Sequence, residues 1–133
     1  MSVAQGNILD IEGAPGRLSL RPALKLAGWN ATVVTNWDHA LRLIEREHYE
    51  VALLNIDRPG RKALEMCRKI RHRSRLITVM ILTTVDDEVH RVEFLDAGAD
   101  AVVRPDSVHE LVARIRAVIR RSQMSSINMA VPI

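Results

Sequence analysis

The chain has a single cysteine, Cys67, so neither an intrachain disulfide nor a cysteine-rich zinc cluster can form. That usage fits a reducing compartment, and a cytoplasmic location is expected. Aromatic residues are equally scarce, at 3% of 133 residues, which argues against a surface that binds single strands by stacking bases. No apolar run approaches the roughly 18 residues of a membrane span, and no basic, apolar and small-residue leader opens the sequence. A membrane partner is therefore not expected. The sequence has no P-loop, GxGxxG stretch or nucleophile elbow. His39, His48, His72, His90 and His109 lack metal-ligand spacing, and each reads as a solvated side chain. What remains is one domain-sized chain whose 47% hydrophobic content can bury a core without staples.

Charge is present but concentrated. The formal net charge is +3, with basic residues crowded into Arg58–Arg75 and Arg114–Arg121. Such clusters attract nucleic acid or acidic partners, although solvated helix faces are their commoner origin.

Short apolar runs alternate with helix-period segments, the signature of βα units and a parallel sheet. The runs are Ile8–Ile11, Ala31–Val34, Val51–Ile56, Ile77–Leu82 and Ala101–Val103. The third and fourth are almost continuously apolar, as central strands covered on both faces would be. Five helices are expected between and after them. Asn36 caps the second, which runs to about His48 with Trp37, Ala40, Leu41 and Ile44 on one face. The third spans about Lys62 to His72, and the fourth about Asp87 to Ala97 on Val89, Val92 and Leu95, with Gly98 as its left-handed stop. Ser107 and Glu110 form a capping-box pattern at the start of the fifth. In the first, Pro22 predicts either a kink or a helix that begins there. The resulting fold class is α/β, a doubly wound five-stranded parallel sheet with helices on both faces. Residues 1–121 form the domain and 122–133 a frayed tail or linker. In such a sheet, chemistry belongs at the carboxyl ends of the strands.

Those ends carry a specific resemblance. ILDIEGAP is similar to the ILxVDDxP that closes the first strand of response-regulator receiver domains, and VALLNIDRP to their third-strand LVLLDxxMP. MILTT resembles the fourth-strand LTA, and DAGADAVVRP the AGADDYxxKP around the fifth. The blocks keep order and spacing from about Asn7 to Arg121, and RIRAVIRR resembles the last helix of the OmpR subfamily. The resemblance implies a CheY-like (βα)5 fold, a signalling role in a two-component system rather than an enzymatic one, and membership of a DNA-binding transcriptional regulator.

A working receiver holds a divalent cation between an acidic pair and an acceptor aspartate, which then attacks a phosphoryl group. At the matching positions this chain carries Glu12 and Gly13 for the pair, Asn55 for the acceptor and Arg104 for the lysine. Ala101 or Val102 stands where an aromatic switch would be, and only Thr83 is retained. A carboxamide lacks the anionic oxygen needed to form an acyl phosphate. The pocket formed by Glu12, Gly13, Asn55, Asp57, Thr83 and Arg104 therefore reads as degenerate, a pseudo-receiver with no catalytic residue. No cofactor is expected beyond weakly held magnesium, for which Glu12 and Asp57 are the candidate ligands. On sequence alone, Gly13→Asp is the change that would do most to rebuild the cation site. Asp10, inside the first strand, is expected to face the sheet's open end or to pair with a basic residue.

The functional expectation is a module that works through protein contacts, with possible self-association as a homodimer. By resemblance, Arg91, Asp100, Glu110, Arg114 and Arg121 carry the charge signs of the subfamily's dimer face. DNA would be reached through a further C-terminal domain, or weakly through the basic faces. The alternative is a nucleic-acid-associated domain that uses those faces directly. A third reading, a flavodoxin-like binding protein, would use the EGAPGR turn.

Overall fold

The computed structural model describes residues 6–13, 20–85, 87–104 and 107–130, with side chains described as far as Arg121. Ten elements follow in strict alternation: β1 (Asn7–Glu12), α1 (Arg21–Leu26), β2 (Asn30–Val34), α2 (Trp37–Arg46), β3 (Val51–Asn55), α3 (Arg61–Arg73), β4 (Thr78–Leu82), α4 (Glu88–Asp96), β5 (Ala101–Val103) and α5 (Val108–Ala130). All strand pairs are parallel, and the sheet order is β2-β1-β3-β4-β5. Parallel neighbours need crossovers, and the helices supply them on both faces.

Side-chain alternation divides the core in two. Leu9, Ile11, Ala52, Leu54, Val79 and Ile81 face α2, α3 and α4, where they meet Leu41, Ile44, Met66, Ile70 and Phe94. Ile8, Val51, Leu53, Met80 and Leu82 face the other way, toward Leu24 of α1 and Leu111 and Ile115 of α5. Every residue of β3 and β4 is buried, as the continuous apolar runs predict. β2 lies at one edge and is correspondingly more exposed.

Local signals account for most helix boundaries. The Asn36 side chain accepts the His39 amide at 2.9 Å, capping α2. Asp87 caps α4 in the same way through the His90 amide at 2.9 Å, so the acid reads as helix start. That amide, with the His90 ring, holds the Asp87 carboxyl below its ordinary range. The His90 ring lies 2.6 Å from Asp87 in an exposed pair, so it is solvated as expected but not alone. Gly98 adopts φ +115°, the left-handed stop expected after α4. α1 starts at Arg21 with Pro22 in its first turn, where the missing amide costs nothing.

Three expectations fail. Val89, Val92 and Leu95 face outward, and Phe94 alone of α4 is buried. The apolar spacing does not say which side of a helix meets the sheet, and the single aromatic takes the inner position. Only half of the capping box forms: Ser107 Oγ accepts the Glu110 amide at 3.3 Å, while the Glu110 carboxylate turns to Arg114 at 3.0 Å. Finally, α5 continues to Ala130, past the Arg121 boundary of the expected tail. Residues 122–130 contain neither Gly nor Pro, so nothing in them breaks a helix already under way.

Candidate functional site at the carboxyl end of the sheet

β1 and β3 lie side by side at the centre, and the chain leaves them toward opposite edges of the sheet. Such a switch point opens a crevice beyond the strand ends. Glu12 is in register with Asn55, and Asn55 with Leu82. The Gly13 amide donates to the Asn55 carbonyl at 2.7 Å, and the Thr83 amide to the Val103 carbonyl at 3.1 Å. The fold thus gathers Glu12, Gly13, Asn55 and Thr83 at one end. Asp57 and Arg104 follow on exposed segments leaving β3 and β5 at that same end.

Asn55 is 3% exposed, and its Oδ1 has no hydrogen-bond partner among the described residues. Thr83 is buried as well, and its Oγ1 accepts the Val85 amide at 3.1 Å, fixing the start of the following loop. Asp10 departs from expectation. It is fully buried, and among the described residues neither carboxylate oxygen has a hydrogen-bond partner and no base pairs with it. Alternation puts it on the α1/α5 side with Ile8 and opposite Leu53, so its neighbours are apolar. Burial, with some repulsion from Glu12, pushes its pKa from 3.8 up to about 7.

The donor set does not suit a divalent cation of the kind receivers bind. Glu12 offers one half-buried carboxylate at the strand end, Asn55 offers a neutral oxygen, and Gly13 offers no side chain. A hard cation wants several anionic or strongly dipolar oxygens converging on one point. Among the described residues, no group of three or more His, Cys, Asp or Glu could hold a metal ion.

Arg91, Asp100, Glu110, Arg114 and Arg121 are all exposed, on α4, the turn before β5, and α5. Within the chain Asp100 is already held by Arg71 Nη2 at 2.8 Å and by the Val79 amide at 2.7 Å, and Glu110 is held by Arg114. α4 also carries an exposed apolar stripe, Val89, Val92 and Leu95, which the sequence pattern assigned to the core. The EGAPGR turn falls largely outside the described residues.

The response regulator receiver domain profile matches residues 15–116. The chain belongs to that family. It is 40% identical over 99 residues to the sensory transduction protein RegX3 of Mycobacterium tuberculosis, covering 74% of this chain and 43% of that protein. It is 34% identical over 108 residues to the response regulator MprA of Mycobacterium leprae, covering 80% of this chain and 47% of the relative. The receiver thus spans less than half the length of these curated relatives. A CheY-like receiver domain protein from Methanospirillum hungatei superposes with a TM-score of 0.80 at 22% identity, over 93% of this chain and 99% of that one. The expected CheY-like fold is therefore correct. Among the described residues, no helix of this receiver is long and apolar enough to cross a membrane.

Proposed function

We propose that this receiver signals through protein contacts, without aspartyl phosphorylation, as the regulatory part of a cytoplasmic DNA-binding transcriptional regulator. Asn55 carries the reading. It ends β3 in the acceptor position, buried between Glu12 and Leu82 in the sheet register. Forming an acyl phosphate requires an anionic carboxylate oxygen to attack phosphorus and displace the donor's leaving group. The carboxamide oxygen of Asn55 carries no such charge. With Gly13 beside Glu12, the charge that a cation would bring to the phosphoryl oxygens has little to hold it.

The output surface in this reading is α4, β5 and α5, meeting a second copy across a two-fold axis. Val89, Val92 and Leu95 supply apolar area there, while the exposed charges Arg91 on α4 and Glu110, Arg114 and Arg121 on α5 set orientation more than affinity. The test is intact mass after incubation with a small phosphodonor and magnesium. No change is expected, and one added phosphate mapped to residues 55–57 would overturn the proposal.

A second reading has its own support. Residues 61–75 hold seven Lys and Arg against one acid, Glu65. A surface cleft of about 400 Å³ is lined by Arg68, Arg71, His72, Arg75 and Ala97, with Arg71 already paired to Asp100. Binding of duplex DNA by the isolated chain that weakens steeply with added salt would favour direct nucleic-acid association.

A further inference from the structure

Gly13 is not glycine for the sake of its backbone. Among the described glycines only Gly28 and Gly98 take positive φ, so Gly13 holds a conformation open to any residue. What it lacks is room. A Cβ built there would lie 3.0 Å from Cζ2 of Trp37, 3.2 Å from the Asn55 carbonyl oxygen and 3.5 Å from Cγ2 of Ile56. The first two are tighter than carbon ordinarily tolerates, and neither neighbour withdraws easily. The Asn55 carbonyl is fixed by the bond it accepts from the Gly13 amide. Trp37 is the first residue of α2, whose start is set by the Asn36 cap, and its ring packs against the core on that side of the sheet. Alternation along β1 sends residues 9, 11 and 13 toward this face, so a side chain at 13 would set out directly into the indole.

We propose that Trp37 is the residue that bars a second carboxylate, and with it a divalent cation, from the carboxyl end of this sheet. The indole and the glycine form a coupled pair, one occupying the volume the other leaves. This inference rests on the reading of the pocket as non-phosphorylating and adds its steric cause. It also reverses the sequence-based expectation for Gly13→Asp: the new carboxylate meets the ring, and alone it rebuilds nothing.

The experiment is a double-mutant cycle in an Asn55→Asp background, using Gly13→Asp, Trp37→Val and both together. Magnesium affinity is measured by titration calorimetry, labelling by phosphodonor and intact mass, and stability by thermal melting. With Trp37 present, Gly13→Asp should lower the melting temperature and leave magnesium binding unchanged. Combined with Trp37→Val, the same change should tighten magnesium by about tenfold or more and cost less stability. Gly13→Ala, which adds only the Cβ, keeps the test available where the carboxylate variants fold poorly: it should destabilise beside Trp37 and cost less once Trp37→Val has removed the ring, with only the Asn55 carbonyl contact left. Additive stabilities, or equal magnesium gains with and without the indole, would overturn the proposal. Labelling of the parent at residues 55–57 would instead overturn the non-phosphorylating reading, so the two failures are distinguishable.

Discussion

Arg71 and Asp100, 29 positions apart, are joined at 2.8 Å where the end of α3 meets the turn into β5. The same guanidinium donates to the carbonyls of Gly98, Arg75 and Ile77 at 2.8–3.1 Å. One side chain thus closes the amino-terminal side of β4 and β5. It also caps α3 with a positive charge where the helix dipole favours one. Arg71→Ala should cost about 2–3 kcal/mol, since several charge-assisted bonds go and carbonyls lose their donor. Arg71→Lys should recover little, because a single ammonium cannot fork toward all of these acceptors. Chemical denaturation of the three proteins gives the comparison. A lysine variant as stable as the parent would show that only the charge matters.

Asp10 makes the fold sensitive to pH. Its folded pKa of about 7 stands above the ordinary 3.8, so the folded state retains a proton that the unfolded chain has lost. Stability should therefore fall as pH rises from about 4 to about 7, then level off, by an amount on the order of 4 kcal/mol at most. Asp10→Leu, which matches the apolar surroundings, should flatten that part of the curve and raise the melting temperature at pH 8. A slope that survives the substitution would assign the effect to another group.

On the proposed reading, Asn55→Asp alone restores a nucleophile while Gly13 still stands in place of the second acid. The single variant should show no detectable labelling by a small phosphodonor and should keep the oligomeric state of the parent. Stoichiometric labelling with a changed oligomeric state would mean that the pocket lacks only its acceptor.

The exposed stripe of α4 gives a test of assembly. Val92→Arg should shift sedimentation toward the monomer, because it places a charge at the centre of the apolar patch. Arg91→Glu, at the border of that patch, should have a smaller effect that fades with salt. A dimer indifferent to both would place the interface elsewhere.

How much of this was legible in the sequence differs from residue to residue. The continuous apolar runs of β3 and β4 announced strands buried on both faces, and the Asn36 cap announced the start of α2. These are local signals, and the parallel sheet amplifies them. α4 failed because its apolar residues occur on more than one side, and only packing decides that Phe94 rather than Val92 turns inward. For Asp10, alternation gave the face but not the burial, which depends on what covers that face. The Gly13–Trp37 contact was invisible for a different reason. In the sequence the glycine stands for a missing acid and the tryptophan for a core residue, and nothing links the two. Their meeting joins the end of one strand to the first turn of a helix that begins only after the next strand, and no local pattern encodes it.

Cys67 is fully buried in the packing of α3, and burial lifts its thiol pKa to about 11. A thiol so placed neither ionises near neutral pH nor meets a reagent from solvent. Because it is the only cysteine in the chain, alkylation can report just one event, the separation of α3 from the sheet. The folded protein carries its own unfolding clock: labelling that tracks global denaturation would mark the α3 layer as part of the last unit to open, and faster labelling would reveal a partial opening that leaves the rest of the sheet intact.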